Sequence, residues 1–143
     1  MEVENFLRSS YTGTKSFTQN NVATANATGF GAAADDYAER GIDLNEQLIR
    51  NKPATFFMRV TGNSMIGAGI TDGDIVIVDR SVSPVNGRIV IAVIDGEMLI
   101  RRYVKTFNSL TLVPETPKLS PIAVSEYSDC KIWGVVTCII REL

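Results

Sequence analysis

Apolar positions are spread unevenly along the 143-residue chain. Residues 1–34 hold few aliphatic side chains and many Asn, Thr, Ala, Gly and Ser, concentrated in TQNNVATANATGFGAAA. Small polar side chains bury too little surface to offset the entropy of ordering, so this stretch reads as a flexible arm. The pattern changes at Asp35. In IDLNEQLIR (residues 42–50) apolar side chains return behind Asp43, and Glu46 follows three positions on. That spacing predicts a short helix with Asp43 as its N-cap. After Pro53 come six runs rich in β-branched and aromatic residues, at 55–60, 74–80, 88–95, 97–105, 110–115 and 131–143. Their composition and length predict strands. Asp72-Gly73, Asn86-Gly87, Asp95-Gly96 and the prolines Pro114, Pro117 and Pro121 separate them. Asp95-Gly96 lies between two apolar runs and predicts a tight hairpin. The fold class is mainly β: a compact β domain over residues 35–143 behind an arm over 1–34, with no fixed repeat and no heptad pattern.

Composition narrows the function classes. The net charge is −2, and no basic stripe stands out, which argues against a chain built to hold DNA directly. No apolar run approaches the roughly 18 residues of a membrane span. The opening MEVENFLRSSYTGTKSF lacks the basic-then-apolar order of a secretory signal, so a cytoplasmic location is expected. Cys130 and Cys138, in a chain without histidine, make a poor metal site and read as reduced, buried thiols; no metal and no cofactor is expected.

The chemistry-bearing stretch is VTGNSMIGAGITDGDIVIVDR, residues 60–80. Ser64 follows a predicted strand and precedes a glycine-rich turn containing Gly67 and Gly69. Such a turn can expose a hydroxyl beside free backbone N–H groups, as an oxyanion hole requires, with Met65 the adjacent donor. A serine needs a base, and without histidine the chemically sensible base is a desolvated lysine. The other reading is a plain turn serine.

The same stretch resembles the LexA/UmuD family of self-cleaving serine peptidases, whose nucleophile lies in G-x-S-M followed by G-I-x-x-G-D. Here these are Gly62-Asn63-Ser64-Met65 and Gly69-Ile70-Thr71-Asp72-Gly73-Asp74. The similarity runs on through NGRIVIAVIDGEMLIRR and SPIAVSEYSDCKIWGVV, and upstream into GFGAAADDYAERGIDLNEQLIRNKPATFF, covering roughly residues 28–141. The arm is too short and polar for a helix-turn-helix domain, which places the resemblance on the UmuD side and away from repressors. The resemblance implies a protein of the SOS response to DNA damage. Such a protein cuts its own arm when a RecA–single-stranded DNA filament favours the cleavable form. As a homodimer it then joins a UmuC-like, Y-family translesion polymerase, without sequence-specific DNA binding and without a membrane. A signal-peptidase-like enzyme or a repressor fragment fits less well, lacking respectively an anchor and a DNA-binding domain.

The resemblance assigns Ser64 as nucleophile and Thr28-Gly29 as the cleavage bond. Two departures stand out. The family cleaves after a small residue, and Thr28 is β-branched. The base lysine belongs in a D-G-E-x-x-x-K-[KR] pattern, and Asp95-Gly96-Glu97-Met98-Leu99-Ile100-Arg101-Arg102 puts Arg101 in its place. Arginine is not deprotonated in proteins and cannot take the Ser64 proton. Lys105 lies four residues on, about 13 Å along a strand. Arg101 therefore reads as an engineered trap, as a natural loss of cleavage, or as a sign that another group supplies the base. The alternative function is an interaction module of the same fold that binds SOS or polymerase partners without cleaving.

Among other features, Asp35, Asp36, Glu39 and Asp43 read as a solvated acidic face, and Arg101, Arg102 and Lys105 as a weak phosphate signal. Trp133 reads as core or interface. The C-terminal run IWGVVTCIIREL reads as an apolar edge through which a dimer would form.

Overall fold

The computed structural model describes residues 2–5, 41–126 and 128–143. The chain divides into two units, Gly13–Arg50 and the remainder. The described part of the first is a single short helix, α1 (Leu44–Leu48). Asp43 caps it as predicted, its Oδ1 accepting from the Asn45 N–H at 2.9 Å. Most of the expected arm, the Thr28-Gly29 bond, Asp35, Asp36 and Glu39 lie outside the described residues.

The second unit is an antiparallel sheet of eight strands in the order β1-β2-β3-β8-β4-β5-β6-β7. The strands are β1 (Val3–Asn5), β2 (Thr55–Val60), β3 (Ile75–Asp79), β4 (Ile89–Ile94), β5 (Glu97–Lys105), β6 (Leu110–Val113), β7 (Ile122–Val124) and β8 (Cys130–Ile140). All six predicted strands form. Where they end early the cause is local: Pro114 closes β6, and Arg141 leaves β8 to bond Asp74 and the Gly69 carbonyl. The Asp95-Gly96 hairpin joins β4 to β5, with Ile94 opposite Glu97 and both turn residues at positive φ (49° and 81°). That is the type I′ requirement, which Asp and Gly meet at low cost. Two strands were not expected. β7 is three residues long between Pro121 and Ser125, and β1 lies inside the stretch read as an arm.

Strand alternation puts side chains on both faces. On β4, Val90 and Ala92 pack with Tyr103, Leu112 and Val135. Ile91, between them, joins the opposite cluster of Val3, Met58, Val60, Met65, Ile70, Val76, Val78 and Ile100. β8 is an interior strand and not the edge expected from its sequence. Its residues 130–135 pair with β4 and 135–140 with β3, so the register gives 136–140 a ladder partner on one side only. Register shifts at Ile77/Val78 and Ile91/Ala92 leave Thr137 and Trp133 as extra residues on β8. Such bulges bend a strand and increase its twist. The sheet curls far enough for β1, first in the order, to come against β5, sixth in the order. Trp133 is half-buried against the core cluster, edge-on to Phe56 at 5.0 Å and under the Arg80 guanidinium at 4.5 Å. Cys130 and Cys138 are free but only half-buried, against the full burial expected; burial and the nearby Asp129 charge push the Cys130 thiol up. No described helix is long and apolar enough to cross a membrane.

Candidate active site

The site lies where the loop after β2 meets β5 and the N-terminal segment. The loop cannot fall as regular strand, because Gly62, Gly69 and Gly73 all take positive φ. Its buried side chains pin it to the core: Met65 and Ile70 are 1% and 2% exposed. The Met65 carbonyl accepts from both the Ala68 and Ile70 N–H groups. At the entry, Asp72 accepts from the Gly62 N–H at 2.7 Å, and the Asn63 side chain accepts from the Asp72 N–H. At the exit, buried Asp74 accepts from Thr71 N–H at 2.8 Å and from Arg141 Nε and Nη2 at 2.7 and 2.6 Å. The hydrogen bonds from Arg141 hold the Asp74 carboxyl below its ordinary value, outweighing the opposite push of burial, with Thr71 adding to the fall.

Ser64 itself is clasped through Glu115. The Glu115 N–H donates to the Ser64 carbonyl, and the Glu115 carbonyl accepts from the Gly67 N–H, both at 2.8 Å. Arg102 holds Glu115 in turn, its Nε donating to Oε1 at 2.5 Å. Arg102 is therefore engaged and no free phosphate contact, and Lys105 is exposed at the far end of β5. Neither the Ser64 nor the Met65 backbone N–H has a backbone acceptor among the described residues.

The Ser64 hydroxyl is not exposed, as the loop sequence had implied; the residue is 5% accessible. Its Oγ donates to Glu2 Oε2 at 3.2 Å. The same oxygen accepts from Arg101 Nη1 at 2.5 Å and from the Ile100 N–H at 3.4 Å. Arg101 is 4% exposed; its Nη1 also donates to the Ile100 carbonyl, and its Nε is buried with no partner among the described residues. The sequence reading thus named two residues, Ser64 and Arg101, that the fold brings to one carboxylate oxygen. It missed that carboxylate. The available signal was the alternation Glu2-Val3-Glu4, a strand-like pattern too short to register against the polar residues that follow.

Chemically, the arrangement is a buried serine beside a fixed cation. Among the described residues no lysine amine bonds Ser64 Oγ, which pairs with Glu2. Its acceptor, Glu2 Oε2, already serves two other donors. The site is shaped to hold a carboxylate between a hydroxyl and a guanidinium.

The fold thus sets a core-anchored serine loop beside the buried Arg101 of β5. Residues 21–137 match the Peptidase S24-like family, and the chain belongs to that family, which includes LexA and UmuD. Protein ImpA of Salmonella typhimurium is 42% identical over 120 residues, spanning 80% of this chain and 77% of ImpA. Protein SamA of Salmonella typhimurium strain LT2 is 39% identical over 114 residues, spanning 80% and 79%. The LexA repressor of Clostridium kluyveri is 42% identical over 94 residues, but these span 66% of this chain and only 45% of the repressor. The likeness to LexA thus stops at part of the repressor, whereas ImpA and SamA match over most of their length.

Proposed function

We propose that the chain is a UmuD-like protein of SOS mutagenesis whose peptidase centre is built but lacks its base. Ser64 is the nucleophile, Met65 lies at the oxyanion side, and Arg101 stands at the general-base position. The cleavage bond is Thr28-Gly29, cut slowly or not at all in this chain. The protein acts as a homodimer that meets a RecA–single-stranded DNA filament and joins a UmuC-like, Y-family polymerase in the cytoplasm. The observation that carries the reading is the Arg101 guanidinium, permanently charged and bound to a carboxylate beside Ser64 Oγ. It favours the non-cleaving form over an active peptidase, because removing a general base costs about 10²–10⁴-fold in rate.

Intact mass after incubation with the filament at alkaline pH tests this. The chain is expected to keep its mass, and Arg101→Lys to yield a fragment beginning at Gly29. Loss of residues 1–28 from the unaltered chain would mean that another group serves as base. An intact Arg101→Lys chain would remove the assignment of the bond and the site.

A further inference from the structure

The groove beside Ser64 is filled by the chain's own N-terminus. We infer that the Ser64–Arg101 pocket is a carboxylate-binding site, and that its ligand is Glu2 of the same chain, presented on a strand added to the edge of β2. The inference concerns the uncleaved chain; only its bearing on access to Ser64 rests on the function proposed above.

Three separate contacts define the mode. Main-chain pairing sets Val3 opposite Val60, Glu4 opposite Arg59 and Asn5 opposite Met58, and the Thr61 N–H donates to the Glu2 carbonyl. This is strand addition, in which the ladder gives affinity and side-chain pockets give specificity. Val3 supplies an apolar anchor, fully buried in the cluster with Met58, Met65 and Ile100. Glu2 supplies the specificity, its Oε2 taking hydrogen bonds from Ser64 Oγ, Arg101 Nη1 and the Ile100 N–H.

The pocket needs an anion. The guanidinium of a residue that is 4% exposed, with an Nε that has no partner among the described residues, is unstable unless a negative charge faces it. Glu2 is the carboxylate that pairs with it among the described residues. Arg101 makes the contact through Nη1, which bonds Glu2 Oε2 and the Ile100 carbonyl together. The pocket therefore selects an extended segment with an acidic residue directly before an apolar one, which is Glu2-Val3. While that segment is seated, Ser64 Oγ is occupied. Any other segment, including one carrying Thr28-Gly29, reaches the hydroxyl only after Glu2 withdraws. The residue that removes the base thereby also closes the site.

Amide hydrogen exchange on the full chain tests the latch. The probes are Thr61, whose N–H is covered by the Glu2 carbonyl, and Ile91 at the sheet centre. Glu2→Gln should raise Thr61 exchange at least tenfold while leaving Ile91 unchanged, and Glu2→Asp, one methylene short but still charged, should raise it less. Unchanged Thr61 exchange in Glu2→Gln would overturn the inference, because the strand would then be held by Val3 and the ladder alone. An equal rise at Thr61 and Ile91 would also overturn it, since the segment would then open only with the whole sheet. Arg101→Gln, which shortens the side chain and removes its charge, should reproduce the Glu2→Gln result; protection as in the unaltered chain would remove Arg101 from the pocket.

Discussion

Replacing Gly67 with Ala puts a Cβ 2.8 Å from the Glu115 carbonyl oxygen and 3.3 Å from the Glu115 Cβ. The obstacle is backbone, so it cannot swing aside as a side-chain tip would. The displaced group is also the clasp on the site, because that carbonyl accepts from the Gly67 N–H and the Glu115 N–H holds the Ser64 carbonyl. The cost has two parts: overpacking at about 1–3 kcal/mol, and weakening of one or two hydrogen bonds at about 1 kcal/mol each. Alanine recovers about 0.5–1 kcal/mol of backbone entropy in the short 3-10 turn over Ile66–Ala68. The net expectation is a loss of about 1–4.5 kcal/mol, which for a domain of this size lowers Tm by roughly 3–14 °C. Urea and thermal unfolding measure it. Gly69→Ala is the contrast. There a Cβ meets nothing within 4 Å, but φ is +85°, so its cost of about 1–2 kcal/mol is conformational. A Gly67→Ala chain within 0.5 kcal/mol of the original would refute the clasp. In an Arg101→Lys background, Gly67→Ala should also slow cleavage, because Ser64 moves with Glu115.

Two further expectations follow from other parts of the molecule. Because the Asp74 carboxyl is held below its ordinary value of 3.8, its contribution is fully present above that pH and is lost as pH falls through the lower folded value. Unfolding free energy should therefore drop more steeply below about pH 4 in the original chain than in Asp74→Asn, and equal slopes in urea titrations across that range would exclude Asp74 as the cause. The one-sided end of β8, with Ile139 and Ile140 exposed at 43% and 38%, fits pairing with a second copy. Sedimentation at micromolar concentration should give a dimer, and a monomer there would count against the homodimer.

The sequence by itself determined the local structure and the chemistry-bearing positions. Six β-branched runs became six strands, because such side chains fit a half-buried pleat wherever a sheet forms. Asp95-Gly96 became a hairpin, because its conformational demand is local. Asp43 became a cap for the same reason. Gly62-Asn63-Ser64-Met65 and Arg101 stand out in the sequence by their resemblance to the LexA/UmuD motifs, and the roles of nucleophile loop and base position are what that resemblance implies. The tertiary structure decided the rest. Cys130–Ile140 reads as an edge but lies inside the sheet, because a staggered register lets one long strand serve β3 and β4 in turn. Val3–Asn5 carries too short an alternation to predict a strand; it is a strand because the edge of β2 offers a ladder and the core offers a place for Val3. The meeting of Glu2, Ser64 and Arg101 spans nearly a hundred positions of chain, and only the curl of the sheet brings β1 against β5. No periodicity within a short window encodes a contact of that range, which is why the resemblance picks out Ser64 and Arg101 but not Glu2, the carboxylate between them.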